Sequence, residues 1–270
     1  MIKAIFTNIK DEHRYLEEWL EYHIRMGFNK FILFEDAGSR SHLDIINKYS
    51  KVTNIDFYDN ILKADSVELK DITCFNYILE NYNDIDWIIK LDPDEYLVLD
   101  NNMTIDDLLY NVNDDVNQIT YLWKLYNACG LIEEPSHGKY SVVDTYIGDI
   151  DISQLADYFT TNTSKNEYEL GKSFLRYKWF LTNTNLHISD GFPHYIIDSV
   201  IFFDNGHINH YITKSFEEFY NRLKNKGEYN KEFYRKIGDF FVLNPDMIEK
   251  IPEIESKFDV DIFSFETKIN

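Results

Sequence analysis

The chain has 270 residues, 44% hydrophobic and 16% aromatic, with 20 Tyr, 20 Phe and 4 Trp. That suffices for a substantial core in one large or two small domains and excludes an intrinsically disordered chain. A formal net charge of -20 argues against a nucleic-acid polymer or an anionic membrane as partner, while leaving room for a small anion held by a metal and a few local cations.

The first hundred residues alternate between two periodicities. Residues 2–7 (IKAIFT) read as a strand. Over 12–26, Leu16, Trp19, Leu20, His23 and Ile24 recur at helical spacing, and Gly27 is a stop signal. A second strand is expected over 30–35 (KFILFE), a turn over 36–39 (DAGS) and a helix over 42–49. A third strand over 52–58 and a helix over about 66–82 follow, and the apolar run 86–91 reads as a buried fourth strand. Strand and helix alternating at this pitch predict βαβ units on a parallel sheet. Ligands bind such sheets beyond the carboxyl ends of the strands. Polar clusters stand at three of those ends: Thr7 with Asn8, 35-EDAGS-39, and 92-DPDE-95.

Past residue 100, Thr104 caps a short helix that carries Asp106 and Asp107 in its first turn, and 118–126 (QITYLWKLY) reads as a strand. Residues 129–172 are polar and contain Gly130, Gly138, Gly148 and Gly171, the pattern of an irregular insertion. Further strands are expected over 173–181, 186–189 and 196–203. From Thr213 the chain turns helical, with Phe216, Phe219, Tyr220 and Leu223 on one face and Gly227 at the end. No repeat, linker or low-complexity tract interrupts the chain, so one compact domain with a C-terminal helical extension is expected.

The two cysteines, Cys74 and Cys129, make neither a disulfide scaffold nor a zinc spacing and favour a reducing compartment. The opening MIKAIFTNIK lacks a signal-peptide core, and no segment reaches the roughly 18 apolar residues of a spanning helix. A soluble, cytoplasmic protein is the expectation.

The cluster Asp92, Asp94 and Glu95 lies between two hydrophobic runs. A lone D-x-D is usually a solvated acidic turn, but here both flanks are expected to be buried. In an extended segment Asp92 and Asp94 would point the same way, and Pro93 suits a strand end better than its middle. Two hard oxygen ligands at a strand end suit Mg²⁺ or Mn²⁺ with open positions for phosphate and water. The EF-hand ladder is missing, and a glycosidase would set its two carboxylates on opposite sides of a sugar.

Four segments together resemble the GT-A nucleotide-sugar glycosyltransferases, in particular the family 92 and family 2-like group. They are 10-KDEHRYLEEWLEYHIRMGFNKFILFEDAGS-39, 87-WIIKLDPDEYLVL-99, 123-WKLYNACG-130 and 209-NHYITKSFEEFYNRLKNKG-227, in the expected order. Asp11 stands where that group usually has Asn, and residues 131–185 match little, as a variable acceptor region would. The resemblance implies an α/β fold of GT-A type: a mostly parallel sheet flanked by helices, with a C-terminal helical extension. It divides the chain into a catalytic domain over 1–212 and an extension over 213–270. Within the former, 1–100 is the nucleotide-sugar half and 101–212 the acceptor half.

Carried over residue by residue, the resemblance makes Asp94 a ligand of the divalent cation that bridges the donor diphosphate. It takes Asp92 to the ribose or to the metal through water, and Glu95 to orienting these carboxylates or approaching the sugar. Thr7, Asn8, Glu12 and Asp36 would line the base and ribose pocket. His210 is the candidate third metal ligand, with His187 as runner-up, and Lys214 would face the diphosphate as a point charge. A lone His is more often structural, and a lysine at a helix start gains nothing from the dipole. The implied reaction is transfer of a sugar, a UDP-hexose by default, to a hydroxyl of a glycan or glycoconjugate acceptor, with inversion. An inverting enzyme needs a carboxylate base. Asp190 is favoured for its polar turn near His187, with Glu133, Glu134 and Asp144 as alternatives. Trp123, Tyr126, Trp179 and Phe192 are candidates to stack on the acceptor, each with core packing as the ordinary alternative. A metal-dependent nucleotidyl or phosphoryl transferase, or a non-catalytic nucleotide- or carbohydrate-binding module, would use the same features.

Overall fold

The most apolar runs become the innermost strands. β1 (Lys3–Ile9), β2 (Lys30–Glu35) and β3 (Asn54–Asp59) are joined by α1 (Leu16–Arg25) and α2 (Leu43–Tyr49). Helix α3 (Val67–Asn81) leads on to β4 (Trp87–Lys90). β1 pairs in parallel with β2 and β4, and β2 with β3, as the βαβ alternation predicts. β2 and β4 are buried along their whole length, the signature of strands covered on both faces. The computed structural model describes residues 1–59, 67–135, 141–150, 171–178, 200–202, 205–226, 237–260 and 262. The chain divides into two units, Met1–Trp123 with Gln154–His210, and Lys124–Ser153 with Tyr211–Asn270.

In the first unit the chain continues through β5 (Glu95–Leu99), α4 (Ile105–Tyr110) and β6 (Gln118–Tyr126), whose last residues pass into the second unit. After β7 (Asp149–Ile150) of the second unit come β8 (Gly171–Arg176), β9 (Val200–Phe202) and β10 (Gly206–His210). The sheet runs β3-β2-β1-β4-β8-β6-β10-β5. Beyond β4 its pairing turns antiparallel, for β8 with both neighbours and for β10 with β5. β9 lies parallel to β6. The sheet is therefore parallel over its N-terminal strands and largely antiparallel over the rest, with helices on it as expected.

Helix α1 stops where its sequence says it should. Gly27 takes φ 102°, its N–H donates to Ile24 and the Phe28 N–H reaches back to His23, the Schellman arrangement. β5 ends the strand order, so its outer backbone groups need partners from elsewhere. Helix α1 supplies them. Trp19 Nε1 donates to the Glu95 carbonyl at 3.0 Å, the Tyr22 hydroxyl donates to the Leu97 carbonyl at 2.9 Å, and the Leu97 N–H donates to His23 Nε2 at 3.5 Å. The 18-EWLEYH-23 stretch is thus a structural clasp on the strand that follows the acidic turn.

The second unit holds α5 (Val142–Thr145), β7 paired with Leu125 and Tyr126, α6 (Phe216–Lys226), α7 (Ile237–Leu243) and α8 (Ile251–Phe258). Phe216, Phe219, Phe240, Phe241, Met247 and Ile254 form its core. Helix α6 starts on a capping box. Ser215 Oγ receives the Glu218 N–H, and Glu218 Oε2 receives the Ser215 N–H and the Tyr146 hydroxyl.

The observed elements and units differ in places from the expected bounds. The strand expected over 173–181 runs Gly171–Arg176, because the buried Tyr177 turns its N–H to Asp86 and its hydroxyl to the Ile78 carbonyl. That strand begins inside the stretch expected to be irregular. The unit boundary falls after His210 rather than 212, and 124–153 joins the C-terminal helices instead of the acceptor half. The strand expected over 186–189 lies outside the described residues.

Candidate active site

β4 delivers the chain to the acidic cluster at the carboxyl end of the parallel strands. There the extended conformation expected for Asp92 and Asp94 is not what forms. The Glu95 N–H donates to the Asp92 carbonyl at 2.9 Å, closing a β-turn with Pro93 in its second position, where a φ near −65° is favoured. Glu95 Oε2 accepts the Asp92 N–H at 2.9 Å and locks the turn. Asp92 and Asp94, first and third in a turn, serve different partners.

Asp94 faces His210. In the antiparallel pairing of β5 with β10, His210 stands opposite Glu95, and this register brings its Nε2 to 3.9 Å from Asp94 Oδ1. The His210 ring packs at 4.7 Å from the Trp123 ring.

Asp92 faces two lysines. Lys90 Nζ donates to its two oxygens at 2.8 and 3.1 Å, and Lys172 Nζ to Oδ2 at 3.2 Å. Lys172 also stands 3.4 Å from Glu95 Oε1 and over the Trp123 ring at 5.5 Å. Packing around Asp92 favours its neutral form, but Lys172 and Lys90 outweigh this and hold the carboxyl well below the usual range. Glu95 is the opposite case. Burial pushes it up to about 8 against the pull of Lys172, helped by repulsion from Asp92 and Asp94. None of its surface is exposed, and its Oε2 is taken up by the Asp92 N–H. Of its two expected roles, this burial is in keeping with orienting the carboxylates.

A line of polar contacts joins the cluster to the neighbouring strand ends. Lys90 pairs with Asp71 of α3 at 2.9 Å, and Asp71 accepts from Asn8 Nδ2 at 2.6 Å. Asn8 Oδ1 in turn receives the Cys74 thiol, and Asp36 pairs with Lys70 at 2.6 Å. Asn8 and Asp36 are half-buried at the carboxyl ends of β1 and β2, whereas Thr7, expected beside them, is fully buried and offers no side-chain surface. The Glu12 N–H donates to His42 Nε2, and His42 Nδ1 lies 2.6 Å from Glu35, so the 36–42 segment is held against the start of α1. Asp11 has φ 57° and accepts the Arg40 N–H. Asp and Asn are the non-glycine residues that best tolerate this left-handed backbone, which explains Asp11 in a place where Asn is usual.

Lys214, in the second unit, is buried with φ 54°. Glu133 pairs with Lys257, and the Asp144 N–H takes part in the Ser141 cap of α5. Asp190, His187, Trp179 and Phe192 lie outside the described residues. The sequence reading missed Lys90, Lys172 and Asp71. A lysine closing the apolar run WIIK was the available signal for Lys90. Lys172 carried none, since only the sheet order brings it near.

The divalent cation implied by the resemblance fits Asp94 and His210. A carboxylate oxygen and an imidazole nitrogen 3.9 Å apart can share one ion at about 2.1 Å from each. Among the described residues no three His, Cys, Asp or Glu side chains converge as a metal-binding group. None of the described helices is long and apolar enough to cross a membrane.

A family model described as glycosyltransferase family 92 matches residues 8–251. A comparison with curated proteins finds no match. Among solved structures, S. aureus TarS 1-349 is 13% identical with a TM-score of 0.46, over 78% of this chain and 60% of that one. The same protein in complex with UDP-GlcNAc is 17% identical with a TM-score of 0.37, over 52% and 39%. The galactosyltransferase LgtC, in complex with donor and acceptor sugar analogs, is 13% identical with a TM-score of 0.34, over 67% and 60%. The chain thus spans 60% or less of the length of each of these.

Proposed function

The chain belongs to glycosyltransferase family 92, and on that premise we propose that it transfers a sugar from a nucleoside diphosphate sugar, a UDP-hexose by default, to a hydroxyl of a glycan or glycoconjugate. We infer inversion and dependence on Mn²⁺ or Mg²⁺. The observation that carries this reading is the meeting of Asp94 with His210 beside the carboxyl end of β4. Two ligands of different type there leave most of an octahedral shell for a diphosphate and water.

Asp94 and His210 would hold the cation, which when bound supplies Lewis-acid stabilisation to the departing nucleoside diphosphate. Glu95 keeps the turn closed through the Asp92 N–H, so that Asp94 is presented in one orientation. Asn8 and Asp36, fixed by Asp71 and Lys70, would meet the nucleoside. Glu12 is assigned to the same pocket, Lys214 to the diphosphate and Asp190 to the acceptor proton, all three on the family resemblance.

A thermal-shift panel of UDP-, GDP- and CMP-sugars with Mn²⁺ or EDTA tests this. A ligand at 100 times its Kd adds about 2.7 kcal/mol. UDP compounds are expected to raise Tm with Mn²⁺ and not with EDTA, and Asp94→Asn is expected to lose that response while melting normally by itself. Stabilisation by nucleoside triphosphates alone would favour a nucleotidyl transferase, and an EDTA-insensitive response to free sugars a binding module. An Asp94→Asn protein that binds UDP and Mn²⁺ like the parent would remove Asp94 from the metal.

A further inference from the structure

Lys172 has no place in the reading above, yet it stands at the centre of the site. Its strand can come close enough because it begins with a glycine. A Cβ on Gly171 would meet the Tyr121 carbonyl oxygen at 2.3 Å, so this approach of β8 to β6 requires a residue without one. The next residue then sends an ammonium group, 2% exposed, to Asp92 and Glu95 across the face of Trp123. The same indole packs on His210. One wall therefore carries an ammonium group and the imidazole that faces Asp94.

The two lysines on Asp92 are not equivalent. Lys90 touches both carboxylate oxygens and is anchored in addition by Asp71 at 2.9 Å. Lys172 reaches one oxygen of Asp92 and one of Glu95, at 3.2 and 3.4 Å. Of the pair it is the one held by longer contacts, and the one that also touches Glu95. A divalent cation drawn to Asp94 and His210 comes up against an ammonium already spending the charge of the neighbouring carboxylates. Burying both cations at one carboxylate site without a further anion is unfavourable, because like charges repel strongly where water is excluded. A diphosphate would supply that anion.

We propose that Lys172 is an internal counter-ion whose charge at Asp92 and Glu95 opposes entry of the divalent cation at the neighbouring Asp94 and His210. As a positioning residue it holds the acidic turn together when no donor is bound. It keeps cation binding to the protein alone weak, and it couples cation uptake to arrival of the nucleoside diphosphate. The proposal rests on the metal-dependent reading of the site.

The test is Mn²⁺ binding, read from the electron paramagnetic resonance signal of free Mn²⁺, with and without UDP. The intact protein is expected to bind Mn²⁺ weakly alone and at least about tenfold more tightly with UDP, a coupling of ordinary size. Lys172→Met is expected to bind Mn²⁺ alone about tenfold more tightly than the parent and to gain less from UDP. Lys172→Arg, which keeps the charge, is expected to restore the parent's pattern, which a merely structural role would not require. Should the Met variant fail to fold, Lys172→Gln carries the same comparison. If the neutral variants bind Mn²⁺ no more tightly than the parent while UDP still strengthens binding, the role of Lys172 is overturned and the metal site stands. If no protein binds Mn²⁺ even with UDP, both fall.

Discussion

His23 is completely buried on α1, where its Nδ1 lies 2.9 Å from the Trp19 carbonyl and its Nε2 receives the Leu97 N–H. The ring is therefore neutral with its proton on Nδ1, and burial pushes its pKa down to about 3 from an ordinary 6.5. Between these values the unfolded chain binds a proton that the folded one refuses. Its contribution to stability is thus complete above about pH 6.5 and is lost as pH falls toward 3, by up to about 1.4 kcal/mol per pH unit. Glutamine can make both hydrogen bonds and does not titrate. Urea unfolding across pH 4–6.5 is expected to give a shallower loss for His23→Gln than for the parent, and parallel curves would refute this account. At this scale the sequence was a partial guide. The helical spacing put His23 on the inner face, and the acidic cluster marked its own position. His210 was named as a partner for Asp94 only through the family resemblance, and the lysines that Asp92 faces were hidden, because Lys172 is brought in by another strand.

Strands β5, β8 and β10 decide the site at the scale of elements. Of the three only β8 was expected as a strand, over 173–181, while β5 and β10 were not anticipated, and pairing partners leave no mark on a single strand. Pro93 signalled a break, and the β-turn that it starts, rather than an extended pair of aspartates, follows from the Glu95 N–H meeting the Asp92 carbonyl. β5 could be an edge strand with its backbone satisfied only because α1 sets Trp19, Tyr22 and His23 against it. Gly171 offers the sharpest test of the β8–β6 approach. Gly171→Ala places a methyl 2.3 Å from a backbone oxygen, which no side-chain rotation relieves. A loss of about 1–3 kcal/mol in urea unfolding is expected, and a neutral effect would mean that the two strands are not so close.

For the whole molecule the excess of acid matters through where it lies. There are 47 Asp and Glu against 27 Lys and Arg. The buried Lys3, Lys30, Lys90 and Lys172 each have carboxylate partners, so the unbalanced negative charge belongs largely to the surface. Self-repulsion of that kind is screened by salt over a Debye length of about 8–10 Å. Raising NaCl from about 20 to 200 mM is expected to raise Tm by a few degrees, and a fall in Tm would show that attractive surface pairs outweigh the repulsion. By itself the sequence determined the βαβ alternation, the helix stop at Gly27, the phenylalanine face of α6 and the place of the acidic turn. These follow from contacts within a turn or along a strand. The tertiary structure alone decided that Asp92 is held by Lys172, 80 residues away, and that Asp94 meets His210, the partner expected from the resemblance, at 3.9 Å. Strand order and register set those pairs, and they are properties of the assembled sheet that no local pattern encodes.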